Sequence, residues 1–243
     1  FNFQMNKLVF LLLLFCFQMF SQGNLPNDCA NAIVVCGNDN FISNASGIGD
    51  TQEVAGCSGS EHNSLWLKVN IVQSGTLGFN LIPSDPSVMV DYDFWVYPAN
   101  AVCGSLGSPI RCCTTNPNLA GLTSNVTGMI GTTITTTSGP GANGNGFVRW
   151  LTVTAGQFYY IAIDRPVGDG GFEIQWTGTA TTGTGAFPIP PTANAIASYQ
   201  TCSNTNQGIF DLNTRRVLIN SDTVNNQITF YDIDNSTDNI LNS

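Results

Sequence analysis

Period-two alternation of apolar and polar residues, six cysteines packed between positions 29 and 113, and abundant turn residues predict an all-β chain. The expected architecture is a disulfide-stapled antiparallel β-sandwich, jelly-roll-like, followed by a truncated second β module. With 25 Gly and 11 Pro in 243 residues, long helices and coiled coils are disfavoured.

The elements follow in chain order. Met5-Asn6-Lys7 opens a short basic region, residues 8–17 are continuously apolar, and Ser21 and Gln22 stand at a small-residue cleavage point. Residues 1–22 therefore read as sequence upstream of Met5 plus a secretory signal peptide. The apolar run is shorter than the roughly 18 residues a membrane span needs, so no span is expected after cleavage. Residues 23–180 form the expected sandwich. Its start, 24–59, is polar and turn-rich with one apolar run at 32–35. Leu65, Leu67, Val69 and Ile71 then share one strand face, and Leu77, Phe79 and Leu81 repeat the period. Tyr92, Phe94 and Val96 alternate with Asp91, Asp93, Trp95 and Tyr97 in an acid-led strand. Residues 131–146, rich in Thr, Gly and Asn, read as a long surface loop. Residues 151–153 and 158–164 read as a hairpin turning at Ala155-Gly156, and Phe172, Ile174 and Trp176 mark a closing strand. A Thr/Gly/Pro linker is expected at 181–192. Within 193–243, residues 196–202, 208–212 and 228–233 read as the first strands of the second module, too few to close a core.

Only 9% of residues are charged, against roughly a quarter in an average soluble protein, so the chain's polarity comes from Asn, Thr, Ser and Gly. Seven basic residues (Lys7, Lys68, Arg111, Arg149, Arg165, Arg215, Arg216) form no cluster against sixteen acids, giving a net charge of -9. Nothing here neutralises a run of phosphates, which excludes nucleic-acid binding. His62 is the single histidine, so no histidine cluster can hold zinc.

Cys16 lies in the expected leader. Cys29, Cys36, Cys57, Cys103, Cys112 and Cys113 make an even set, read as three disulfides among 15 possible pairings. Adjacent Cys112 and Cys113 point in opposite directions on an extended chain and so serve different bridges. The short loop from Cys103 predicts its pairing with Cys112 or Cys113, leaving Cys29, Cys36 and Cys57 to bond among themselves and with the other adjacent cysteine. No C-x-x-C pair supports a metal reading. Cys202 is left over, with its partner expected beyond Ser243.

Residues 27–29, 35–37, Glu61-His62-Asn63-Ser64-Leu65-Trp66, Asp91-Tyr92-Asp93-Phe94, Ile110-Arg111-Cys112, the run 155–160 and the segment 171–180 form an ordered set of motifs. Across residues 27–180 that set resembles the N-terminal domain of large secreted Bacteroidetes surface proteins, often described as gliding-motility-associated or adhesin-like. The domain also resembles the bacterial pre-peptidase C-terminal β-sandwich and, more distantly, the CUB fold. Cys202, residues 208–212 and residues 228–231 resemble the Ig-like repeats that follow in such proteins. The resemblance implies export by type IX secretion, an extracellular cell-surface location, and a surface carbohydrate or protein as ligand.

Three sharper readings compete with plainer ones. His62 could act as general base for Ser60 or Ser64, but no G-x-S-x-G elbow is present, and a solvent-facing or hydrogen-bonded loop histidine is favoured. Asp91 and Asp93 share a strand face and, with Glu61 or Asp85, could offer oxygens to calcium. CUB-like domains place a calcium site near an equivalent Tyr-Asp strand. The D-x-D-G ligand loop is missing, so hydrogen-bonded carboxylates are favoured and no cofactor is expected. Trp66, Trp95, Trp150, Trp176, Tyr97 and Tyr159 could form a sugar-stacking platform, with Trp95 and Tyr97 the best candidates for an exposed patch. Core or loop packing is favoured there. The expected function is a non-enzymatic adhesion, binding or spacer domain of a multidomain surface protein. The alternative is an accessory, pre-peptidase-like domain of a secreted hydrolase.

Overall fold

The computed structural model describes residues 25–37, 39–196, 212–221, 228, 230–231 and 240–241. Two compact units divide the chain, one of them Leu25–Pro190. The expected leader, with Cys16, lies outside the described residues, as does Cys202.

Within Leu25–Pro190 the strands are β1 (Ile33–Val34), β2 (Phe41–Ser43), β3 (Ser64–Asn70), β4 (Gly75–Leu77), β5 (Phe79–Pro83), β6 (Asp91–Val96) and β7 (Arg111–Thr115). They continue as β8 (Thr127–Ile130), β9 (Thr137–Gly141), β10 (Phe147–Arg149), β11 (Leu151–Val153), β12 (Phe158–Val167) and β13 (Phe172–Trp176). One sheet has the order β1-β3-β12-β6-β7-β9 and the facing sheet β10-β8-β5-β13-β2. The long central strands pair antiparallel, with Ile161 opposite both Leu67 and Val96. Parallel pairing enters at three edges, β1 on β3, β9 on β7 and β10 on β8. These edge strands arrive by long connections rather than tight hairpins, so nothing forces them antiparallel. The sheets are therefore mixed, and the sandwich is not purely antiparallel.

The alternation assigns the inner faces correctly. Leu65, Leu67, Val69, Tyr92, Phe94, Val96, Ile161 and Ile163 meet Phe79, Leu81, Met129, Val148, Phe172 and Ile174 in one core. Edge-on ring pairs stitch the two sheets, Phe79 to Phe94 at 5.1 Å and Tyr92 to Phe172 at 5.3 Å between centroids.

A second apolar cluster covers the opposite face of the larger sheet. Trp66, Trp95, Tyr97, Cys112, Tyr160 and Ala162 pack beneath Cys29, Val54 and Leu106. The central strands are thus covered on both sides, which is why all six residues of β6 are buried. Gly59 belongs to this cover: a Cβ there would stand 2.1 Å from Trp95 Cζ2, so only glycine lets the chain lie on the indole.

Four expectations change. Residues 151–153 and 158–164 do not pair as a hairpin, since β11 joins β4 while β12 joins β3 and β6. Segment 131–146 contains β9, anchored by buried Ser138, whose hydroxyl lies 2.8 Å from that of Thr115. The expected linker at 181–192 is domain in its first part: Thr181, Ala186 and Phe187 are buried, and Phe187 packs on Trp176 at 5.0 Å. In the other unit, helix α1 (Asn213–Ile219) follows where only strands were expected. There Ile196 is not in a strand, 208–211 lie outside the described residues, and β14 (Phe230–Tyr231) pairs antiparallel with β15 (Ile240–Leu241).

Candidate functional site

The disulfides are Cys29–Cys103 and Cys57–Cys112, and Cys36 and Cys113 are free thiols. The expected pairing of Cys103 with an adjacent cysteine and the expected third bridge are both corrected. Cys112 and Cys113 do point to opposite faces. Cys112 joins the covering cluster, where Cys57 reaches it, and Cys113 enters the inner core. Burial pushes the Cys113 thiol up from its ordinary value, which keeps it protonated and weakly nucleophilic. The Cys57–Cys112 bridge therefore pins the covering layer to β7, and the Cys29–Cys103 bridge ties two segments of that layer to each other.

That cover decides the aromatic reading. Trp66, Trp95 and Tyr97 are fully buried, and Tyr159 and Trp176 nearly so. Trp66 and Tyr97 stack on each other at 5.5 Å, and Trp66 Nε1 donates to Glu61 Oε1 at 2.8 Å. Of the six candidates only Trp150 stays partly open, with its ring laid over Gly131. The side chains expected to present a platform instead hold a buried layer together.

The carboxylates sort by partner. Glu61 also accepts from Gln52 Nε2 and the Glu53 amide, which commits it to the loop. Burial raises its pKa, an effect those donors oppose. Asp85 is exposed and accepts the Ser87 amide at 2.9 Å, a local turn. Neither joins Asp91 and Asp93. The neighbour that does is Asp164, directly opposite Asp93 in the β6–β12 register. Asp164 is fully buried; its Oδ1 accepts the His62 and Asn63 amides at 2.7 Å each, and its Oδ2 lies 2.9 Å from His62 Nδ1. Asp91 Oδ2 accepts from Asn116 Nδ2 at 2.9 Å. Asp91 Oδ1 and Asp93 Oδ1 are buried without a hydrogen-bond partner.

Burial is the main cause that pushes Asp91 up to about 6, with Asn116 opposing and the Asp164 charge adding. Burial, then Asp91 and Asp164, raises Asp93 well above the ordinary carboxylate range. Burial raises Asp164 too, against the donors on 62–63. Desolvation and like charge thus act together on one small volume.

Sequence reasoning found Asp91 and Asp93 but missed Asp164. Its signal was the isolated acid ending the apolar run Tyr159-Tyr160-Ile161-Ala162-Ile163, a place where a carboxylate needs a reason to be buried. No group of three or more His, Cys, Asp or Glu side chains with metal-holding geometry occurs among the described residues. The calcium arrangement with Glu61 or Asp85 is not formed, because each is bonded within its own loop.

His62 is oriented by Asp164 but has no serine beside it: Ser64 Oγ is buried and donates to Asn27 O and Gly47 O at 3.2 and 3.4 Å. Ser60 is exposed on the loop. The histidine is a hydrogen-bonded loop residue. No described helix is long and apolar enough to cross a membrane. The chain matches no protein-family model and no curated protein at a significant level.

Proposed function

We propose that residues 25–190 act as an exported, non-enzymatic binding or spacer domain of a multidomain cell-surface protein of the gliding-motility-associated, adhesin-like kind. The observation that carries this reading is the pair of long-range disulfides holding an irregular layer over one face of the sandwich. Structural disulfides persist in oxidising compartments, and a cross-linked sandwich tolerates exposure there. The side chains that catalysis would need support the same reading: Ser64 is committed to backbone carbonyls, and Glu61 to the loop that covers Trp66.

The test is deletion of residues 25–190 from the full-length gene in the producing cell, with surface export of the remainder verified by antibody. Loss of attachment to carbohydrate- or protein-coated surfaces is expected. Unchanged attachment together with loss of a secreted hydrolytic activity overturns the proposal in favour of the accessory-domain role.

A further inference from the structure

Three carboxyl groups meet on the covered face of the larger sheet with almost nothing to balance them. Asp91 and Asp93 are two apart on β6, and Asp164 faces Asp93 across the strand pair, the spacing at which cross-strand side chains interact directly. Asp93 is only 8% exposed, and its Oδ1 has no partner. On β6, Tyr92 turns to the inner core. On β12, Arg165 Nη1 donates to Asn44 Oδ1, Gly170 O and Tyr92 Oη, and its Nε is buried without a partner. From β7 come the uncharged Thr114, whose hydroxyl donates to Cys57 O, and the Cys113 thiol, which burial keeps protonated. From the covering loop, Glu61 is held by Trp66, and His62 alone brings a cationic form, against Asp164. Asn116 closes the far side at Asp91.

Like charges packed this closely out of water cannot all ionise, so the cluster retains protons. The bonding pattern says where. Asp164 accepts two amides and His62, all of which favour its charged form, whereas Asp93 Oδ1 is buried with no donor to favour the charged form there. A protonated Asp93 can donate to the carboxylate opposite. We propose that Asp91, Asp93 and Asp164 form a proton-sharing latch that fastens the 62–63 end of the covering loop in acid and weakens as pH rises. The proton leaves to water, and repulsion between Asp93 and Asp164 then strains the acceptor that holds the His62 and Asn63 amides. Because the folded-state pKa values are raised, this contribution is complete below the ordinary carboxylate range. It is lost upward through about 6 for Asp91, and for Asp93 as pH rises well above the ordinary carboxylate range.

Thermal unfolding of the full chain, wild type and Asp93→Asn, between pH 4.5 and 8 tests the latch. A displacement of about two pH units, as for Asp91, corresponds to a melting-temperature loss of about 6–12 °C in all, of which about 4–8 °C falls between pH 4.5 and 8. The wild type should lose more than this, because Asp93 adds its own raised titration, whereas Asp93→Asn, which supplies a permanent donor, should keep only the part that belongs to Asp91. Equal pH dependence in the two proteins overturns the proposal. If the variant does not fold, infrared spectroscopy of wild-type chain labelled at aspartate decides instead. A protonated-carboxyl band in the folded protein at pH 5, lost on unfolding, supports the latch, and its absence overturns it. Millimolar calcium that restores the acid melting temperature at pH 8 also overturns it, since a cation rather than a proton would then be the balancing charge.

Discussion

Replacing Cys57 and Cys112 together by alanine tests whether the covering layer is held by the chain cross-link or by its own packing. The bridge joins residues 55 apart, and closing a loop of that length removes about 4 kcal/mol of denatured-state entropy at 25 °C. The Cys29–Cys103 bridge already spans residues 57–103, so the second closure acts on a shortened loop and the expected loss is about 3–4 kcal/mol. For a domain of this size that lowers the melting temperature by about 6–16 °C. Near-ultraviolet circular dichroism is the assay of choice, because Trp66, Trp95 and Tyr97 lie under the layer and report its loss. A transition at lower temperature that precedes the global one would mean that the layer detaches first. A fall of less than about 2 °C would refute the loop-entropy reasoning, and a peptide map joining Cys57 to any other cysteine would refute its premise.

Phe172→Ala removes a fully buried ring that packs on Tyr92 and Phe41, and chemical denaturation should show a loss of about 3–5 kcal/mol. Gly59→Ala sets a methyl against the Trp95 indole; it should cost about 1–3 kcal/mol by the same measurement, and Gly59→Ala combined with Trp95→Phe should recover part of it. A chain ended after Thr181 loses Ala186 and Phe187 from the core and should unfold at lower denaturant than one ended after Pro190. Maleimide should label Cys36 in the native protein, faster as pH rises, whereas Cys113 should react only after denaturant is added, as peptide mass mapping will show.

The inner core was legible because period two is a geometric property of any strand with one buried face. Leu65 through Val69 and Tyr92 through Val96 declared their inner faces without help. The outer face was not legible. Trp95 and Tyr97 alternate with the core residues and so read as solvent-facing, yet segments 29–32 and 54–57 return over them from positions no periodicity connects. The disulfide pairing failed for the same reason. Sequence proximity favoured Cys103 with Cys112, but the fold brings Cys29 and Cys57 onto that face by long excursions. Short strands such as β2 and β10, three residues each, carry too little pattern to be seen and exist because a neighbour offers a free edge. Asp164 was hidden because its role depends on Asp93, a partner 71 positions away that only the register reveals.

The Cys29–Cys103 bridge has a mechanical meaning apart from stability. Tension drawn along the backbone from residue 25 to residue 190 crosses from Cys29 to Cys103 through the sulfurs, so the 74 residues of separation between them stay slack even when every strand has been pulled apart. Fully extended, that stretch amounts to roughly 250 Å of chain that an oxidised domain never surrenders. A tether built from such a unit has a short, fixed maximum reach, and a reducing agent applied under load would lengthen it in two steps whenever Cys29–Cys103 opens first, because Cys57–Cys112 then still holds the chain between them.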